Sequence, residues 1–211
     1  MLHTPMFFAA VPQTFLEKFI SLTIDPATGK PDMAKYQEFV ASHPEINAQA
    51  KFLDENNPPP SYANSAYYGI HVFKFVNAAG ETSIVKFRFV PQDGEKQLSD
   101  AELAVAPRNF LEKALIDRTR QGPIRWDLIL AIGEPGDPET NPTLLWPSGR
   151  QELKAGTLSI LSATPSSEAG SYKINFDPMV MADGIGATED PVLQFRSPSY
   201  GTSYTRRLRN L

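Results

Sequence analysis

The chain contains no cysteine. That absence excludes disulfides and any thiolate-held zinc or iron centre, and it leaves the redox state of the compartment open. Histidine is nearly as scarce: His3, His43 and His71 are the full set, and none shares metal-ligand spacing with another. Positive charge is not in excess. Lys and Arg total 20 against 24 Asp and Glu, a net charge of −4, which argues against a nucleic-acid surface. The arginines near the C-terminus are a local feature. No apolar run approaches the ~20 residues needed to span a membrane. Met1-Leu2-His3 lacks the charged start and apolar stretch of a signal peptide. There is no internal repeat, no low-complexity tract and no glycine-rich phosphate loop. Gly184-Ile185-Gly186 lacks both the third glycine and the strand-to-helix turn. What is present is 211 residues, enough for one domain with a core, and 19 prolines, which predict short elements with ordered connections.

Apolar periodicity outlines the elements. Within residues 5–22, Phe15, Leu16, Phe19 and Ile20 recur at helical spacing after Pro5 and Pro12. Asp25-Pro26 and Gly29-Lys30-Pro31 mark a loop. Asp32 is placed to cap a second helix bearing Tyr36, Phe39 and Val40, which Ser42-His43-Pro44 ends; His43 reads as a capping or solvent residue. Glu45 to Phe52 begins a third helix, and the prolines from 58 to 60 form a rigid connector. Residues 67–77 and 82–90 predict a hairpin, turning where Gly80 supplies positive φ. Alternation puts Gly69, His71, Phe73 and Phe75 on one face with Val85, Phe87 and Phe89, and leaves Lys74, Lys86 and Arg88 opposite. On that apolar face His71 reads as a core histidine bonded to a carbonyl. Ser99 and Glu102 form a capping box, Pro107 breaks that helix, and Phe110, Leu111, Ala114 and Leu115 continue the apolar face. Residues 124–132 and 156–162 read as two more strands. Glu134, Asp137 and Glu139 between them read as a solvated acidic loop. Four strands with helices gathered elsewhere predict an antiparallel α+β domain over 1–211.

The last stretch carries the chemistry. Asp190-Pro191 is a good helix start, with a side-chain acceptor followed by a residue that has no amide hydrogen to lose. In a helix running through Tyr204, Arg196, Tyr200 and Tyr204 share one face at spacing four, and Pro198 is expected to loosen the turn between them. A fixed guanidinium beside a phenol favours the phenolate, a hard anionic ligand suited to ferric iron. The same spacing fits an amphipathic terminal helix with a solvated basic end.

Arg196-x-x-x-Tyr200, preceded by Phe176-Asp177-Pro178, Gly184-Ile185 and Asp190 to Gln194, resembles the haem-ligating segment of the catalase family. Three further blocks agree in order. Tyr68-Gly69-Ile70-His71 through Asn77, with Gly80-Glu81 and Val85-Lys86-Phe87, resembles the family's central hairpin. Leu145-Trp146-Pro147 resembles its Trp-Pro turn, and Thr4-Pro5-Met6-Phe7-Phe8 with Phe15 resembles its haem-pocket phenylalanines. The short, divergent character suggests the small catalase-related peroxidases.

The resemblance implies a catalase-like antiparallel β-barrel. This chain would supply about half of it, with peripheral helices and a C-terminal haem-ligating helix. It implies haem b as cofactor, with Tyr200 as the iron ligand, Arg196 supporting Tyr200 and Arg207 pairing with a haem carboxylate. Phe7, Phe8 and Phe15 would wall the pocket, and His71 would sit on the proximal side without touching iron. The family's distal histidine belongs to an N-terminal portion that has no counterpart in the 211 residues, and His3 is the only substitute near the right block. The implied activity is decomposition of hydrogen peroxide or organic hydroperoxides with an unidentified electron donor. The alternative is a truncated homologue that binds haem or another hydrophobic ligand, or assembles with other subunits, without turnover. Four strands leave open sheet edges, so a homo-oligomer or edge pairing is expected. The chain as given reads as cytoplasmic, or as periplasmic if an N-terminal portion carries a signal.

Overall fold

The computed structural model describes residues 2–209; Met1 and the residues after 209, which the 1–211 reading includes, lie outside them. In chain order the elements are α1 (Pro12–Ser21), β1 (Ile24–Asp25), β2 (Lys30–Pro31), α2 (Met33–Ser42), α3 (Asn47–Glu55), β3 (Tyr67–Val76), β4 (Thr82–Pro91), α4 (Asp100–Val105), α5 (Phe110–Thr119), β5 (Ile124–Ile132), β6 (Glu152–Ile160), β7 (Ile185–Ala187) and α6 (Pro191–Leu208). Strands β3 to β7 make one antiparallel sheet in the order β6-β5-β4-β3-β7, and β1 and β2 pair separately in the predicted Asp25–Pro31 loop. No helix among the described residues is long and apolar enough to cross a membrane.

Local chemistry sets most boundaries as read. Asp32 accepts from the Ala34 and Lys35 amides, Ser99 and Glu102 complete their capping box, and α4 ends at Val105, ahead of Pro107. Proline at the first turn starts α1 and α6. The sheet departs from the reading in three ways. It has a fifth strand, β7, too short to carry a periodic signal. Strand β6 begins at Glu152 rather than 156, because its charged residues are paired across the sheet: Glu152 with Arg88 and Lys154 with Asp127. Third, β3 does not alternate throughout. Gly69 lies opposite Phe87 and Phe73 opposite Val85, so four steps on β3 match two on β4. The bulge leaves Ile70, His71, Val72 and Phe73 all buried.

Two small cores result. Phe8, Ala9, Phe39 and Ile46 join the N-terminal segment to α2, and Ala63, Ile124 and Trp126 sit under the sheet with Leu115 of α5. The segment before α1 is anchored by polar bonds. Gln49 Nε2 donates to Thr4 Oγ1 (3.0 Å) and to the Met6 carbonyl (2.9 Å), and the Phe7 amide donates to the Pro142 carbonyl (2.8 Å). Lys86 is not on a solvent face. Its ammonium donates to the Leu144 carbonyl (3.1 Å) in the turn-rich segment 133–150, which covers the face opposite the phenylalanines.

Gly69 is required by packing, since a Cβ there would lie 2.6 Å from the Phe87 ring, in the middle of the sheet. Gly69→Ala is expected to destabilise the protein by about 1–3 kcal/mol through overpacking. The measurement is the midpoint of chemical denaturation; an unchanged midpoint contradicts this packing.

Candidate functional site

The site begins with the way β7 delivers α6. Pairing of Phe73 with Ala187, Lys74 with Gly186 and Phe75 with Ile185 aligns β7 antiparallel to β3. Continued along that line, Thr188 Oγ1 donates to the Val72 carbonyl at 3.0 Å, and Asp190 arrives at His71. The pair is sealed, at 2% exposure for His71 and 1% for Asp190. His71 Nδ1–H donates to Asp190 Oδ2 at 2.7 Å, while Oδ1 accepts from the Val192 and Leu193 amides at 2.8 and 3.2 Å. One carboxylate therefore caps α6 and ties it to the sheet. The core-histidine reading holds for burial, but the partner is a carboxylate rather than a backbone carbonyl. His71 Nε2 has no hydrogen-bond partner among the described residues.

From that anchor α6 runs unbroken to Leu208, with Pro198 inside it. Arg196 Nη2 donates to the Tyr200 hydroxyl in a short bond, and the guanidinium lies 5.0 Å from the Tyr200 ring centroid. Tyr200 and Arg207 line a half-open cavity of about 440 Å³ together with Ser199 and Ser203 of α6 and with Ser171, Tyr172 and Phe176 of the irregular segment before β7. Arg207 donates to Ser203 Oγ (2.9 Å) and to the Ile174 carbonyl (3.2 Å). Tyr200 and Arg207 thus share this cavity, and Arg196 joins them through its bond to the Tyr200 hydroxyl. A cavity of this size is in the range that holds cofactors. Its phenol, its cation and its aromatic walls fit an anionic, largely apolar, iron-bearing group.

The three early phenylalanines also assemble, but with one another. Ring centroids lie 4.5 Å apart for Phe7–Phe8, 6.0 Å for Phe7–Phe15 and 5.6 Å for Phe8–Phe15, with Phe19 tilted against Phe15 at 4.9 Å. Phe8 belongs to a core, and none of the three lines the cavity beside Tyr200. Helix α1 does touch α6, so the cluster lies on a neighbouring element. His71 is also outside the cavity lining, anchored about 15 Å of helix before Tyr200 at 1.5 Å per residue. His3 is exposed. His43 sits at the end of α2, stacked on Phe39 with Nε2 3.1 Å from Glu17.

Sequence reasoning missed Asp190 as the partner of His71 and missed Tyr172 and Phe176 as cavity walls. Asp190 was visible as a cap and as part of the haem-segment resemblance, with no sign of its partner. A bond between positions 71 and 190 follows from strand register, which no local pattern reports. The acidic loop also differs from its solvated reading. Asp137 is buried against Arg150, bonded at 2.8 and 2.7 Å, and that guanidinium holds its carboxyl below the usual carboxylate range.

Asp190→Ala leaves His71 buried without its partner and uncaps α6, so a loss of about 3–5 kcal/mol in unfolding free energy is expected. Asp190→Asn retains a capping acceptor and should lose less; equal, small losses contradict the paired role. Burial also lowers the Lys86 ammonium to a pKa of about 8 from its ordinary 10.5. Between those values the unfolded chain holds a proton that the folded chain has released. The unfolded state then binds more protons, so stability rises with pH across this window. In denaturation series from pH 7 to 10.5, Lys86→Met should remove that part of the rise; an identical slope in the variant contradicts it.

The sequence profile of the catalase family matches residues 1–210. The chain is 52% identical over 211 residues to a catalase-related peroxidase of Synechococcus elongatus, covering 100% of this chain and 62% of the relative. It is 32% identical over 192 residues to a catalase-related peroxidase of Mycolicibacterium paratuberculosis, covering 90% and 61%. The chain therefore spans about three fifths of the length of these curated relatives. Among solved structures it superposes on catalase A from Saccharomyces cerevisiae with a TM-score of 0.85 at 20% identity, over 98% of this chain and 45% of that one. A fungal catalase gives 0.85 at 23% identity, over 98% and 44%. These likenesses show the fold: an open, curled antiparallel half-barrel with a C-terminal helix. With the profile and the 52% relative, they establish that the chain belongs to the catalase family.

Proposed function

We propose that this chain is the haem-holding portion of an enzyme that decomposes hydrogen peroxide or organic hydroperoxides, with Tyr200 as the protein ligand to the iron of haem b. The observation that carries this reading is the Tyr200 hydroxyl, held by Arg196 beside a cavity that Arg207 also lines. Arg196 sets the position of the phenol oxygen and places a positive charge next to it, which stabilises negative charge on that atom. Arg207 offers a guanidinium fork, whose two donors match the two oxygens of a carboxylate on the cofactor's edge. Tyr172 and Phe176 supply flat apolar surface against a macrocycle. The Asp190–His71 bond fixes the start of α6, so the phenol is aimed from a helix that cannot slide along the sheet. When bound, haem would supply the redox-active iron that peroxide meets. Haem iron in catalases is held by a tyrosine, which supports Tyr200 by analogy.

A second reading has its own support. Among the described residues no histidine lines the cavity, so no side chain there is placed to move a proton between peroxide oxygens. On that observation the chain binds haem, or another hydrophobic ligand, and turns nothing over until further chain or another subunit supplies the acid–base group. The organic electron donor, if one is used, meets that assembled form.

Titration of the purified chain with haemin should give a bound-haem absorption band at one equivalent. Tyr200→Phe should weaken binding by about tenfold or more, the effect of losing a charged ligand interaction. Equal binding by both proteins contradicts Tyr200 as ligand. An oxygen electrode reading on the loaded chain with peroxide separates the two readings, since evolution by the chain alone contradicts the second.

A further inference from the structure

One wall of the cavity is fastened in an unusual way. The segment 170–177 contains a single 3₁₀ turn, Gly170–Lys173, and its large side chains are half exposed: Tyr172 49%, Ile174 49% and Phe176 59%. Apolar burial does little to hold it. Among the described residues, every side-chain hydrogen bond from this segment beyond its own turns goes to α6. Ser197 Oγ donates to Asp177 Oδ2 (2.5 Å), the Tyr204 hydroxyl donates to the Lys173 carbonyl (3.1 Å), and Arg207 Nη2 donates to the Ile174 carbonyl (3.2 Å). Positions 197, 200, 204 and 207 advance by three and four residues, so these bonds and Tyr200 share one face of α6. Asp177 Oδ1 accepts from the Met179 amide (2.9 Å), which fixes the far end of the segment. The wall is therefore stitched by polar contacts to the same helix face that presents the phenol, and Arg207 is both a stitch and a cavity-lining cation.

We propose that residues 170–177 are a hinged wall of this cavity, that Ser197 and Tyr204 are positioning residues holding it closed, and that Arg207 is its latch, exchanging the Ile174 carbonyl for an anionic group of the ligand. The ligand part rests on the haem-binding reading; the hinge and its stitches do not. The arginine carries five N–H donors, so it can take a carboxylate in a bidentate pair while the other two stitches keep the wall in place. Ligand entry then requires the wall to swing, and removing a stitch speeds entry and exit together. This is a local opening, with free energy well below that of global unfolding.

Hydrogen exchange read by mass spectrometry on the full chain without ligand tests the stitches. Tyr204→Phe and Ser197→Ala should each speed exchange in 170–177 by about fivefold, the size expected for one net hydrogen bond, while β3 and β4 are unchanged. Ser197→Thr retains the hydroxyl and should restore the slow rate. Unchanged exchange in 170–177, or an equal rise throughout the sheet, overturns the hinge. Haemin is the probe for the latch, followed by its transfer to a haem-free globin. Both stitch variants should capture and release haemin about threefold or more faster than wild type at nearly equal affinity, as expected when opening limits both steps. Arg207→Gln should loosen the wall only in the free chain if the latch is given up on binding. Bound wild type and variant that differ as much as the free proteins overturn the exchange of partners. If wild type takes up no haemin, the haem reading fails while the ligand-free exchange result still decides the hinge.

Discussion

The Asp190 carboxylate bonds in two directions from a fully buried position, and the geometry of the site depends on it. One oxygen accepts from His71 on the central strand β3, and the other accepts from the first free amides of α6. Buried charge is expensive unless every lone pair is used, and here the helix amides and the imidazole share that duty. The consequence is mechanical. Helix α6 cannot rotate or slide without exposing an unpaired carboxylate to the core, so the face that carries Arg196, Tyr200, Tyr204 and Arg207 is fixed relative to the sheet. The approach is helped by Gly184, whose φ of 81° and close contact with the Val76 carbonyl suit no larger residue well.

Seen from that anchor, the molecule is two supports around a cavity. Helix α6, anchored to the bulged β3 through Asp190 and His71, supplies the fixed side. Residues 170–177, whose side-chain hydrogen bonds beyond their own turns run to α6 among the described residues, supply the other side, the one proposed to move. The phenol and the Arg207 guanidinium line that cavity, with Arg196 bonded to the phenol oxygen, and make a site suited to an anion-bearing, flat, apolar group. The aromatic cluster of Phe7, Phe8, Phe15 and Phe19 lies on a neighbouring element, where Phe8 is committed to packing with Phe39 and Ile46. Lys86 and the Asp137–Arg150 pair lie on the other face of the sheet, where they hold segment 133–150 in place.

Much of this was legible before any coordinates. The caps at Asp32, Ser99 and Asp190 are local chemistry written in adjacent residues, and the hairpin of β3 and β4 is written in alternation. That Arg196 and Tyr200 share a helix face follows from spacing, while their reading as a haem site rests on the resemblance to the catalase family. What the sequence hid is non-local. The bulge in β3 buries four successive residues, so the alternation rule gave the right faces at its ends and no account of its middle. The charged start of β6 carries no strand signal because its cross-sheet partners, Arg88 and Asp127, are distant in the chain. Pairing of His71 with Asp190 needs the register of a three-residue strand. Tyr172 and Phe176 sit in a stretch with no periodicity, and only their proximity to α6 marks them as walls.

The most direct measurement is a crystal structure of the chain loaded with haemin, with iron located by its anomalous signal. The account predicts iron bonded to the Tyr200 phenol oxygen, with Arg196 still donating to that oxygen and Arg207 turned to a haem carboxylate. Iron bonded instead to His3 or His43, or a haem lying on the Phe15–Phe19 surface with Tyr200 facing solvent, would contradict it.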